Sequence, residues 1–328
     1  MFFEDKDLNA KEPDIQFTKM PKSIYRAMDF IKSADRARFV SACGSKILVS
    51  TTHGRRAFDV IMSKLLDYLI RGMSWNGELT LDDLIIMVMT NGSLVVVIIP
   101  PPVKPENATG AERVSDLHSL WDCMETYYTV QGKLPLYFDQ LEKDLKGAKE
   151  NEVTQHWFYD YLRFHLALFS STARSNFMCR LHQCYKGFQL ALINKYWKVF
   201  ATWPRAIPKW RSTPFRGTVL RPVYHYPWRN ESGLSDDEKW KRDTRQDIIA
   251  DLFEFVRHSC QHLHEHVTIT DLDEIELFGS STFDSALVYL IRSLLKANLM
   301  EDLDRRSGAW SNFKASKSDL RGPPAGSS

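Results

Sequence analysis

Between Asp247 and His266 the chain reads D-I-I-A-D-L-F-E-F-V-R-H-S-C-Q-H-L-H-E-H, placing one arginine and four histidines in a single amphipathic stretch. Ile248, Ile249, Leu252, Phe255, Val256 and Leu263 recur at helical spacing and predict one apolar face. His258, His262 and His266 fall four residues apart and predict a second stripe with Arg257 at its edge. An imidazole titrates near neutral pH, so such a stripe suits general acid and base chemistry, and a neighbouring guanidinium suits a phosphate. The same pattern also suits a plain solvated face. Three histidines on successive turns span about 12 Å at a rise of about 1.5 Å per residue. Only an adjacent pair could share an ion, and no metal or cofactor is expected.

The elements that must position this stripe belong to a chain of 328 residues, enough for about two domains. With 43 Lys+Arg against 41 Asp+Glu, the net charge of +2 offers no extended surface for a polyanion, so any nucleic-acid contact must be local. The opening M-F-F-E-D-K-D-L-N-A-K-E lacks a basic region followed by an apolar one. The longest apolar stretch, Leu84 to Pro102, is broken by T-N-G-S and closes on three prolines, which excludes a spanning helix there. A soluble, cytoplasmic chain without membrane contact is expected. Cys43, Cys123, Cys179, Cys184 and Cys260 are odd in number and scattered, which predicts thiols and not a disulfide framework.

Ile24 to Phe30 and Ala37 to Ser50 predict short strands, and Phe58, Ile61, Met62, Leu65, Leu66 and Leu69 mark a helix from Arg55 to Arg71. Leu84 to Met89 and Leu94 to Ile99 flank Asn91-Gly92, a pair able to supply the positive φ angles of a tight hairpin. Further helices are predicted at Val114 to Tyr128, Leu136 to Leu145, Thr154 to Phe169, 244 to 266, and, after an acidic linker, Thr282 to Asn298. From Trp203 to Trp228, five prolines forbid long helices while Trp and Arg are dense; the stretch predicts a loop pinned by aromatic packing, whose Trp and Arg could also stack on bases. The division expected is a loose 1–20, a first unit over 21–152, a second over 153–303, and a disordered tail over 304–328, which ends G-P-P-A-G-S-S.

The helix 55–71, the segment N-G-E-L-T-L-D-D-L-I-I and the Asn-Gly hairpin resemble the C-lobe of a protein kinase around its catalytic loop. R-V-S-D-L-H-S-L-W-D-C-M-E-T-Y-Y resembles the buried helix that follows, retaining Asp116 and Ser119 but with Trp121 in place of glycine. H-W-F-Y-D-Y-L-R-F-H-L-A-L-F, from His156 to Phe169, resembles the junction joining kinase lobe to nuclease in the inositol-requiring kinase/endoribonuclease of the unfolded-protein response and in ribonuclease L. I-I-A-D-L-F-E-F-V-R-H-S-C-Q-H-L resembles the helix of their kinase-extension nuclease (KEN) domain, and F-G-S-S-T-F-D-S-A-L-V-Y-L-I its closing helix. The resemblance implies a mainly α fold, a degenerate kinase C-lobe with a small β hairpin followed by an all-helical KEN-like domain.

That resemblance places Arg257 on the family's catalytic arginine and His262 on its catalytic histidine. The family's asparagine becomes His258 and its tyrosine Thr244. Its cleavage is metal-independent: the 2′-hydroxyl attacks the neighbouring phosphate, the histidine protonates the leaving oxygen, and the arginine offsets charge on phosphorus. His258 could replace a lost partner. The implied function is a catalytically degenerate pseudokinase and KEN-type protein that processes or binds RNA. The alternatives are an active endoribonuclease leaving 2′,3′-cyclic phosphate ends and a helical interaction module unrelated to RNA. The implied partners are RNA and a second copy or a full-length relative, as homodimer or heterodimer. The kinase positions are lost, with Glu78 for the aspartate, Thr80 for the lysine, Asp83 for the asparagine and V-V-V-I-I-P-P-P where the second metal aspartate belongs. ATP with magnesium is therefore expected to leave the melting temperature unchanged, whereas a bound nucleotide would raise it by several degrees.

Overall fold

A computed structural model describes residues 21–186, 249–262 and 272–317, together with 210–211, 220–225, 227, 231, 233–243 and 245. Among the described residues, five strands interleaved with two helices precede a run of helices. β1 (Pro21–Arg26), β4 (Leu84–Met89) and β5 (Leu94–Ile98) form an antiparallel sheet in the order β1-β4-β5, while β2 (Ala37–Ala42) and β3 (Ser45–Ser50) pair as a separate hairpin. The strand expected from Ile24 to Phe30 stops at Arg26, and α1 (Ala27–Lys32) takes over, burying Ala27, Phe30 and Ile31 at helical spacing. The two hairpins divide their turn chemistry differently from expectation. At Asn91-Gly92 only Gly92 is positive (φ 76), and the Asn91 carboxamide oxygen accepts from Ser93 N at 3.0 Å. Two consecutive positive φ angles occur instead at Cys43 (φ 50) and Gly44 (φ 75), where Cys43 N–H donates to Glu274 Oε1 at 2.9 Å.

α2 (Thr52–Ile70) is capped by Thr51, whose Oγ1 accepts from Gly54 N at 3.0 Å, and buries the apolar stripe from Phe58 to Leu69. α3 (Gly110–Tyr128) starts with a reciprocal capping box between Thr109 and Glu112. It buries Leu117, Leu120, Trp121 and Met124 among the core residues that α2 also supplies. α4 (Phe138–Lys146) and α5 (His156–Arg163) follow. α5 ends six residues short of Phe169 and is followed by a 3-10 turn over Leu166–Leu168 whose second amide, Ala167 N–H, donates to His165 Nδ1 at 3.2 Å. The buried aromatics of α5 are Phe158, Tyr159 and Tyr161, while Trp157 is half-buried with Lys296 Nζ 5.4 Å from its ring.

α6 (Ser171–Lys186), α7 (Arg221–Tyr224), α8 (Asp236–Arg242) and α9 (Ile249–His262) lead to α10 (Leu272–Lys296). Of the residues expected to be an acidic linker, Leu272 to Ser281 are the first turns of α10, which kinks at Phe283 (φ −130, ψ 16), and those before Leu272 lie outside the described residues. Ile275 and Glu276 are buried there, so a helix face was hidden under the charge. The tail is corrected over 304–317, while 318–328 lies outside the described residues: α11 (Met300–Ser307) and α12 (Ala309–Ser316) are helical, and Trp310 and Phe313 are 4% and 2% exposed. Phe313 stacks on Phe169 and Phe177 at 3.8 and 4.3 Å between centroids, contacts about 140 residues apart in sequence that no local pattern announces.

One apolar core runs through both expected units, and two buried ionic clusters tie them. Arg292 of α10 donates to Asp144 Oδ1 at 2.7 Å and to Glu152 Oε2 at 2.8 Å, while Lys296 reaches Glu152 Oε1 at 3.0 Å. The Tyr161 hydroxyl donates to the other oxygen of Asp144, and His165 Nε2 lies 3.5 Å from it. In the second cluster Arg174 clasps Glu276 through Nε and Nη2 at 2.7 and 2.8 Å, Ser280 Oγ donates to Glu276 at 2.6 Å, and Tyr137 donates to Ser280 at 2.7 Å.

Burial alone would raise the Asp144 carboxyl, but His165, Tyr161 and Arg292 outweigh it and hold Asp144 below its ordinary value. A carboxyl depressed in the folded state adds stability above its unfolded value, about 3.9, and loses it as pH falls through the folded value. Asp144→Ala is therefore expected to cost stability near neutral pH, at the lower end of about 3–5 kcal/mol because Arg292 is partly exposed. The deficit should shrink in urea melts taken progressively below about pH 4, where wild type also loses the interaction.

Candidate functional site

α9 carries the arginine and the histidines of the candidate site, and its packing is set by one stripe. Leu252, Phe255, Val256 and Ser259 are buried at spacings of three, four and seven. Phe255 is the centre of an aromatic cluster, with Trp210, Tyr224 and Phe283 at centroid distances of 5.6, 5.8 and 6.1 Å. Ser259 Oγ satisfies itself on the Phe255 carbonyl oxygen at 2.9 Å. The apolar face expected at Leu252, Phe255 and Val256 is thus the face that anchors the helix against α6, α7 and α10.

Anchoring that stripe leaves Arg257 and His258 half-buried at the margin of the packed face. His258 and His262 are one turn apart and Arg257 lies about 100° around the axis from His258, as about 3.6 residues per turn requires. Arg257 Nε is buried and meets no acceptor among the described residues. His262 ends the helix; its side chain, like Thr244 and His266, lies outside the described residues.

A second polar constellation organises the loop between α2 and β4. Asp116 of α3 is 1% exposed; its Oδ2 accepts from Ser74 Oγ at 2.6 Å and Trp75 N at 3.1 Å, and its Oδ1 from Gly77 N at 2.8 Å. Burial nevertheless dominates and pushes this carboxyl above its ordinary value. Gly77 has φ +79, and a Cβ there would stand 2.3 Å from Ser115 Oγ, so the close approach of loop to helix requires glycine. Ser119 Oγ adds a bond to the Leu79 carbonyl at 2.8 Å. Thr80 and Asp83 are spent on each other: Asp83 Oδ2 accepts from Thr80 N at 2.8 Å and Thr80 Oγ1 at 2.7 Å, in a capping box that starts the 3-10 turn Leu81–Asp83.

Thiolate chemistry is disfavoured at Cys43, where burial and the Glu274 carboxylate push the thiol up to about 11, leaving it protonated at neutral pH. Among the described residues no group of three or more His, Cys, Asp and Glu could hold a metal ion, and no helix is long and apolar enough to cross a membrane. The buried charges Asp144, Arg174 and Glu276, and the half-buried Arg292, have no local signature: their ionic partners lie far away in the chain. Set beside protein-family models, curated proteins and solved structures, the chain matches none.

A half-buried guanidinium with an unsatisfied buried nitrogen works against folding. Arg257→Met, which keeps the stem and removes the donor, is expected to leave the urea midpoint unchanged or higher. A loss beyond about 1 kcal/mol would mean that Arg257 serves the fold instead of a ligand.

Proposed function

We propose that the chain is a catalytically degenerate, pseudokinase and KEN-like RNA-binding regulatory protein in which α9 meets the RNA backbone. The observation that carries this reading is Arg257: its Nε is buried without an acceptor, beside His258, on a helix whose opposite face is fixed in the core. A phosphate would supply the missing acceptor. The kinase-like half of the proposal is supported by Asp116 and Ser119, which hold the 74–79 loop where the resemblance expects a catalytic loop resting on its buried helix. The Thr80 and Asp83 capping box favours a retired loop, because both polar side chains are committed to local structure.

Cleavage in such a site needs one group to accept the 2′-hydroxyl proton and another to protonate the leaving oxygen. With Thr244 and His258 at the family's tyrosine and asparagine positions, His262 stands without those helpers. Binding without efficient turnover is the reading this favours. The test is a labelled RNA stem-loop incubated with the purified chain in EDTA. Salt-dependent binding, weakened by Arg257→Ala and little changed by His262→Ala, with intact RNA recovered, is the expected result. Products ending in 2′,3′-cyclic phosphate, lost by about 10²–10⁴-fold in His262→Ala, would replace it with an active nuclease. Absence of binding at low salt would remove RNA from the proposal.

A further inference from the structure

The sheet β1-β4-β5 has two edges, and the chain treats them differently. An edge strand presents a row of N–H and C=O groups to any passing chain, and proteins blunt it with proline, charge or a bulge. β1 has all three: Pro21, Lys22 and Arg26, with an irregular register between Pro21 and Ser23. β5 reads L-V-V-V-I and has none. At one end of β5 the Ser93 carbonyl accepts from Met89 N–H at 2.8 Å, and at the other Ile99 N–H donates to the Asp83 carbonyl at 2.9 Å. Position 93 and position 99 thus face the β4 side, and alternation turns the amides and carbonyls of Leu94, Val96 and Ile98 the opposite way. No hydrogen bond meets those groups among the described residues, although Val96 is only 5% exposed.

Beside this edge a cleft of about 370 Å³ opens between β5 and α2. The consecutive residues Ser93 to Val96 all line it. Side chains alternate across a strand, so an unbroken run means that the cleft looks onto the edge of β5 and not onto one face. Arg56, Val60 and Lys64 come from α2 at helical spacing, with Asp59 and Asp67 beside them. The carboxylates are committed: Asp59 accepts from Ser63 Oγ at 3.1 Å and from Lys317, and Asp67 from Arg163 Nη2 at 2.5 Å. The cations are not. Arg56 gives one nitrogen to the Gly92 carbonyl, and burial alone moves its guanidinium, downward, with no carboxylate to offset it. Lys64 Nζ rests 4.9 Å from the Tyr68 ring centroid, and neither cation has an ion pair among the described residues.

We infer that β5 accepts an extended acidic segment of a partner protein as a fourth strand, with the segment's carboxylates on Arg56 and Lys64. Strand addition supplies the hydrogen bonds that Leu94, Val96 and Ile98 lack, and the cations select what is added. Eight residues at about 1.5 Å separate Arg56 from Lys64 by about 12 Å along α2, a span that four strand residues at about 3.3 Å match. Two acids four positions apart share one face of a strand, and the residue midway between them meets Val60, which calls for an apolar side chain. A second copy paired edge to edge would set the same cations against each other, which disfavours self-association here. The surface shares no residue with α9, so it stands independently of the RNA reading.

The test measures anisotropy of a labelled peptide, S-E-T-V-T-E-S, titrated with the full chain. Binding is expected, and it should weaken when the second glutamate moves one position to S-E-T-V-E-T-S, which turns it to the opposite face. Replacing both glutamates by lysine should abolish it. Arg56→Gln and Lys64→Gln should each weaken binding by about two- to fivefold, the range of a solvent-accessible ion pair, and Lys64→Glu should reverse the preference toward the lysine peptide. Backbone pairing is read without altering the protein: N-methylation of the peptide at its Glu and Val positions, or at its Thr positions, should cost roughly tenfold or more in one case only, since just one set of amides faces β5. Equal effects of the two methylations, equal binding of the lysine peptide, or no binding by wild type would each overturn the proposal. Dimerisation in sedimentation that Leu94→Pro abolishes would overturn it in favour of a second copy, and displacement of the peptide by oligouridine in wild type but not in Arg56→Gln would reassign the cations to RNA.

Discussion

A guanidinium that leaves water must be met by carboxylates, and Arg292 is met by two, Asp144 and Glu152, that come from the other half of the chain. The remaining order of the molecule is arranged around that demand. Asp144 needs a further donor to stay ionised at 3% exposure, and it finds one in the Tyr161 hydroxyl, with the His165 imidazole 3.5 Å away in the segment joining the halves. Glu152 gains Lys296, one turn beyond Arg292 on the same helix. Arg174 and Glu276 repeat the arrangement at the other end of α10, and the kink at Phe283 lies between the two clusters. Ion pairs of this kind add little net stability over apolar packing, but they penalise every arrangement in which one member is left alone. They therefore specify how α10 lies against α4 and α5.

That placement determines what α9 can present. α9 packs on α6 and α10, so its buried stripe is set by elements already locked in place, and Arg257 is left at the rim whatever its own preference. The contrast with Arg174 is instructive: both are arginines on helices in the same half, yet Arg174 has every contact a guanidinium wants while Arg257 Nε has none among the described residues. A solvated polar face, the plainest account of a histidine and arginine stripe, does not bury a donor nitrogen. The difference is what makes α9 a candidate binding element.

Much of the helical scaffold was legible because apolar residues at three and four spacing leave little freedom: α2, α3 and the buried face of α9 lie where Phe58 to Leu69, Leu117 to Met124, and Leu252, Phe255 and Val256 place them. Signals that mix with charge were misread. Leu272 to Ser281 looks like a linker because of its acidic residues, yet Ile275 and Glu276 face inward, the glutamate bound to an arginine 102 residues away. Trp310 and Phe313 look like strays in a polar tail until Phe169 and Phe177 are brought beside them. The positive-φ turn at Cys43 has no glycine or asparagine at its first position, and its amide is met by Glu274 from α10. For the candidate site, the helix and the residue types were readable, but the burial of Arg257 Nε depends on neighbours that only the folded chain supplies.

The slot formed by Phe169, Phe177 and Trp310 is closed by Phe313, and this has a bearing on biosynthesis. During translation, the aromatic surfaces of Phe169 and Phe177 emerge well over a hundred residues before the ring that covers them. At about 5–20 residues per second this leaves them uncovered for many seconds. Lys317, which joins Asp59 of α2 to the carbonyl of Arg163, arrives later still. The nascent chain must therefore hold this part of its core open until α12 leaves the ribosome, and chaperones that shield apolar surface would find a target at this slot.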